Sequence, residues 1–177
     1  MKTVKSMAYI AVAAVIITVC SWLTVPFAVP FTMQTFAVFA VLLLLGGKAG
    51  TAAIGLYIAL GLVGLPVFSG FRGGFSHLIG PTGGYIVGFL LTGVLYLILE
   101  KAICEKKPLY TVLTLSGGLI LCYLAGTLWF VAVYGRNGES VGFFAALSTC
   151  VFPYILPDAA KMALAILVGK RVKKYIK

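Results

Sequence analysis

An all-α membrane protein with six transmembrane helices is the fold that this sequence predicts, and three observations predict it. Of 177 residues, 62% are hydrophobic and only 10% are charged, where a soluble domain is nearer half apolar and a quarter charged. The apolar residues gather into six runs separated by short connections. The basic residues are distributed unequally between alternate connections. A soluble core of this size leaves too much surface exposed to hide such a chain from water.

Crossing a hydrocarbon core of about 30 Å takes roughly 20 helical residues. The runs cover residues 8–25, 33–47, 49–65, 80–99, 112–134 and 143–169. The first follows a Lys-flanked start and lacks an A-x-A-like cleavage site, so it reads as a retained helix and not a signal peptide. The second is short, and Pro26 and Pro30 blur its entry, so it needs help to cross. The connections leave no room for a soluble domain, which makes residues 1–177 one integral membrane domain.

Eleven of the 14 basic residues fall on one side of six crossings: Lys2 and Lys5, then Lys48, then Lys101, Lys106 and Lys107, then Lys170, Arg171, Lys173, Lys174 and Lys177. The opposite connections hold only Arg72 and Arg136. This is the positive-inside pattern with both termini cytoplasmic, in a multi-pass cell-membrane protein. The net charge of +10 is thus a topology signal, and nucleic acid is not a partner. Membrane lipid is.

The fourteenth basic residue, Lys161, lies inside the last run, three residues after Asp158. An unpaired charge in a membrane costs several kcal/mol, so such residues pair and usually mark function. At i and i+3 the two side chains share a helix face. Helix rise puts them about 12 to 18 Å from the cytoplasmic end. Pro153 and Pro157 are expected to break or restart the helix here, which would set Asp158 at a helix N-terminus.

The stretch 66–85, PVFSGFRGGFSHLIGPTGGY, has too many glycines for one regular helix. It is expected to fold back at the outer face as a lid or cavity wall. Gly80, Gly84 and Gly88 also have the small-xxx-small spacing that lets helices approach closely. Thr32, Gln34 and Thr35 in the other outer loop offer hydrogen bonds to a neutral ligand or a helix cap. Trp129 and Tyr134 suit an interfacial belt or an apolar wall.

Catalytic signatures are missing. Gly47 and Lys48 fail the P-loop pattern, because Leu42 holds the first glycine position and Ala49 replaces Ser or Thr. There is no nucleophile elbow, no HExxH and no paired-carboxylate set. The four cysteines show no CxxC spacing, and His77 has no second metal ligand near it in sequence. The chain reads as neither an enzyme nor a holder of a metal or cofactor.

Three stretches together resemble the BioY family, the biotin-specific substrate-binding (S) components of energy-coupling factor (ECF) transporters. They are GPTGGY (80–85), the segment ending in Met33, Gln34 and Thr35, and FPYILPDAAK (152–161). The resemblance implies an S-component-like bundle in the bacterial plasma membrane that captures biotin from outside. It also implies partners, a transmembrane coupling protein and two cytoplasmic ATPases, which would supply the energy that this chain cannot. Docking on them through small residues of the first helix falls here to Ala8, Ala11 and Ala14. For the ligand, the resemblance points to Asp158 and Lys161, supported by Gln34, Tyr85, and the backbone of Gly73, Gly74, Gly83 and Gly84. Arg72 is placed to meet the valerate carboxylate. An S component for another vitamin and a non-transporting membrane scaffold are the alternative readings.

Overall fold

The structure is a computed structural model that describes residues 2–27, 29–105, 108–136 and 141–176. Lys106, Lys107 and Lys177, assigned above to the cytoplasmic edge, lie outside the described residues, as do the side chains of Lys2, Lys101, Cys104 and Glu105. The helices are α1 (Lys2–Trp22), α2 (Gln34–Leu62), α3 (Phe75–Ile79), α4 (Gly83–Glu105), α5 (Pro108–Arg136), α6 (Phe143–Cys150) and α7 (Phe152–Ile176). Two short strands, β1 (Thr24–Val25) and β2 (Phe31–Thr32), pair antiparallel between α1 and α2. Leu23 to Val25, expected at the end of the first helix, therefore belong to this outer hairpin instead.

Five described helices are long and apolar enough to span a membrane. One of them folds back on itself as two arms, the first reaching about 18 Å into the membrane. Within α2, Gly46 has φ +80° and ψ 175°, a backbone that residues with a Cβ rarely adopt. The chain reverses there. Gln34 Nε2 donates to Tyr57 Oη at 2.6 Å, although a straight helix would put those residues about 34 Å apart. Gly50 lies against Leu42, where a Cβ would come within 3.0 Å of the Leu42 Cα. The two arms are the second and third predicted crossings, joined by an elbow and no loop. Gly47 N–H, freed by the break, donates to Glu100 Oε1 of α4 at 2.9 Å.

Glycine also sets the closest helix pair, α4 against α5. A Cβ on Gly88 would stand 2.8 Å from the Cys122 Cα, and one on Gly118 would stand 2.5 Å from Thr92 Cγ2. Thr92 Oγ1 donates across this seam to the Gly118 carbonyl at 2.8 Å. Without a hydrophobic force between helices in lipid, such close packing is what holds them together.

The last crossing is broken just before Pro153 and not again at Pro157. The break is at Val151 (φ −125°, ψ −55°), and α7 restarts at Phe152. Pro153 fits in the first turn, where no intrahelical donor is needed, and Pro157 is accommodated inside the helix. Asp158 is consequently well within α7 and not at its N-terminus.

Candidate functional site

Three outer segments converge on α7. The β1–β2 hairpin folds inward, so that β2 brings Phe31 and the Thr32 carbonyl over Lys161. The first arm of α2 then carries Thr35 and Gln34 to the same level. From the other side, α5 contributes Tyr123.

The Asp158–Lys161 pair is closed to solvent, 3% and 6% exposed, with Nζ 2.8 Å from Asp158 Oδ1. Asp158 Oδ1 also accepts from Thr35 Oγ1 at 2.9 Å, and Oδ2 accepts from Tyr123 Oη at 2.6 Å. Lys161 Nζ donates further to the Thr32 carbonyl at 2.6 Å and sits 3.8 Å from the centre of the Phe31 ring. A carboxylate has about four acceptor positions and an ammonium three N–H donors. Three bonds to Asp158 and two from Lys161 leave one acceptor position, on Oδ2, and one ammonium N–H, on the nitrogen that faces the Phe31 ring. An acceptor and a donor of this kind suit a neutral ligand group that carries both an N–H and a C=O.

The pair lines a cavity with Gln34 and Tyr85, so four of the nine expected ligand residues come together. Val29, Pro30, Ile86 and Phe89 supply apolar walls, as suits a site for a small ligand with few polar groups. Both ends of the Gln34 amide are already engaged, Nε2 with Tyr57 and Oε1 with the Thr32 hydroxyl at 3.0 Å. Tyr85 Oη lies 3.4 Å from Thr127 Oγ1. Tyr154 braces the outer loop by donating to the Val29 carbonyl.

The other expected residues lie elsewhere. Arg72 and Gly73 line a wider outer cavity of about 620 Å³, which shares Pro30, Ser69 and Thr82 with the inner one and so forms its vestibule. Gly74 caps α3, a five-residue helix inside the stretch expected to be loop. Gly83 and Gly84 are packing positions: a Cβ on Gly83 would strike the Leu78 carbonyl, and one on Gly84 would strike Trp129. Trp129 reaches from there to the Gly80 carbonyl at 3.0 Å. On α1, Ala8 and Ala11 are exposed, but Ala14 is buried in the bundle.

His77 borders the vestibule, stacked on Phe68 at 5.3 Å between centroids. Burial, reinforced by the Arg72 charge, lowers its pKa from the ordinary histidine value. Tyr123 and Ser69 were not anticipated from the sequence. A tyrosine within an apolar helix gives no signal of its own, and its partner Asp158 is on another helix.

Fold and site define a small helical-bundle membrane protein that buries an ion pair beneath an outward-opening ligand cavity. The chain belongs to the BioY family, whose family model matches residues 1–177. It is 39% identical over 164 residues to the biotin transporter BioY of Thermotoga maritima, covering 90% of each chain. It is 32% identical over 156 residues to the biotin transporter BioY of Rhodobacter capsulatus, covering 84% of this chain and 81% of that one. Among solved structures, the S-component for biotin from an ECF-type ABC transporter superposes with a TM-score of 0.84. That match has 28% identity and covers 98% of this chain and 93% of the other.

Proposed function

We propose that this chain captures biotin with high affinity at the outer face of the cell membrane and serves its uptake as the S component of an ECF-type transporter. The observation that carries the reading is the buried Asp158–Lys161 edge, with one acceptor and one donor unspent, in a chain of the BioY family. The ureido ring of biotin presents an N–H beside a C=O. Asp158 accepts from the N–H and Lys161 donates to the carbonyl, while Tyr123 and Thr35 hold the carboxylate in place. The thiophane ring lies on the apolar walls near Ile86 and Phe89. The valerate chain points up the vestibule, where Arg72 meets its carboxylate.

The energy for transport comes from partners, a membrane coupling protein and two cytoplasmic ATPases, since the chain has no nucleotide-binding motif. Ala8 and Ala11, small and outward on α1, form the part of the docking face available to the coupling protein.

Thermal stabilisation of the purified protein by a vitamin panel tests the ligand. Biotin should raise the unfolding temperature, and thiamine and riboflavin should not. A shift with either of those and none with biotin overturns the reading. No shift with any vitamin favours a scaffold.

A further inference from the structure

The bundle is not closed all the way round. In order, α4 packs on α5, and α2 packs on α1, α4 and α7, but α5 and α7 share no substantial direct packing. They are bridged by α6 on the outer side, by the Tyr123–Asp158 bond near mid-depth, and below it by Ser116 Oγ, 3.8 Å from Met162 Sδ. Toward the cytoplasmic end the seam widens into a cavity of about 660 Å³. Leu43, Leu109, Val112 and Ile166 make its apolar walls, and Glu100, Lys170 and Lys173 are its charged groups.

We propose that this inner seam is a binding site for one anionic phospholipid of the cytoplasmic leaflet, with its phosphodiester on Lys170 and Lys173 and an acyl chain along the apolar wall. Three features select that occupant. The cavity is at headgroup depth, because the first turn of α5 and the last turns of α7 border it. Basic pockets between helices at this level suit anionic headgroups. The two lysines, three residues apart on one face of α7, are exposed and have no acidic partner within ion-pair distance among the described residues.

Two cations against one carboxylate leave a single positive charge, which complements the single negative charge of a phosphodiester. Glu100 Oε1 is held by Gly47 N–H, and its second oxygen remains to accept from a headgroup hydroxyl such as that of phosphatidylglycerol. A bare phosphate would satisfy the lysines but leave Leu43, Leu109, Val112 and Ile166 facing water at membrane depth. A lipid satisfies both.

Native mass spectrometry and thermal unfolding of the full chain test this, in nanodiscs of phosphatidylcholine with and without phosphatidylglycerol. Wild-type protein should retain phosphatidylglycerol in preference to phosphatidylcholine and unfold at a higher temperature when it is present. The Lys170→Ser/Lys173→Ser variant should lose retention several-fold. Lys174→Ser, exposed nearby but outside the cavity wall, should keep it. Val112→Trp fills the cavity without touching a charge and should also lose retention.

Biotin binding by each variant verifies folding. Should Val112→Trp fail that check, the exposed lysine positions carry the test alone. The proposal is overturned by equal retention of the two lipids, or by a Lys174→Ser loss as large as that of the double variant. Stabilisation by inorganic phosphate equal to that by phosphatidylglycerol, or undiminished retention in a folded Val112→Trp protein, overturns it too.

Discussion

Replacing Asp158 by Asn removes the only counter-charge that Lys161 has among the described residues. The ammonium, 6% exposed, keeps the Thr32 carbonyl and the Phe31 ring, neither of which balances a full charge. Breaking a buried pair from one side costs about 3–5 kcal/mol, because the remaining charge stays desolvated. Asn also presents an amide donor that must accommodate the hydroxyls of Thr35 and Tyr123, both of which donate to Asp158. Asp158→Asn/Lys161→Met removes both charges at similar volume, a change that is often neutral or even stabilising.

Without biotin, the double variant should therefore unfold at nearly the wild-type temperature and Asp158→Asn well below it. Affinity should behave differently. A hydrogen bond to a charged group contributes about 1.5–3 kcal/mol, so losing one weakens binding roughly ten- to hundredfold. The double variant loses two and should bind worst while being stable. Thermal unfolding without ligand and titration calorimetry with biotin separate the two effects. A double variant no more stable than Asp158→Asn would refute the pair energetics, and one that binds biotin at wild-type strength would remove the pair from the site.

Three further outcomes are expected. Tyr123→Phe takes one donor from the Asp158 carboxylate and should weaken biotin binding about tenfold or more by calorimetry, with the protein still inserted and folded. Gly46→Ala forces a left-handed backbone and pushes a Cβ to 2.5 Å from Glu100 Oε1, so unfolding measurements should show a loss of at least about 1–2 kcal/mol. The third concerns acid. The native His77 pKa is lowered, so the opened loop takes up a proton first as pH falls. Packing of α3 should be fully stable above about pH 6.5 and weaken below it. Hydrogen exchange at Phe75–Ile79 would show this, and His77→Phe should abolish the pH dependence.

The six crossings were legible because run length and charge placement are one-dimensional properties. Lys161 and Asp158 were legible for a related reason: a charge inside an apolar run has few structural explanations. The elbow at Gly46 was only half legible. Gly46 and Gly47 marked a boundary between two runs, but nothing in sequence order says that helix resumes at once on the far side. Tyr123 is one of nine tyrosines, and what distinguishes it is a carboxylate 35 residues away on another helix. Gly83 and Gly84 bear out the close packing that their spacing announced. Clustered glycine announces that something comes close without saying what, and what comes close is the Leu78 carbonyl and Trp129. Pro153 marks the restart of the helix as its place in the sequence suggested, whereas Pro157 is carried inside α7 and breaks nothing.

Two internal rulers give the depth of the site. The first arm of α2 rises about 18 Å from the elbow to Gln34, and α7 rises about 16 Å from Gly169 back to Asp158. Both end near the middle of a hydrocarbon core of about 30 Å. A ligand seated at this pair would therefore stand halfway across the membrane. What remains from there to the cytoplasmic face is the inner half alone.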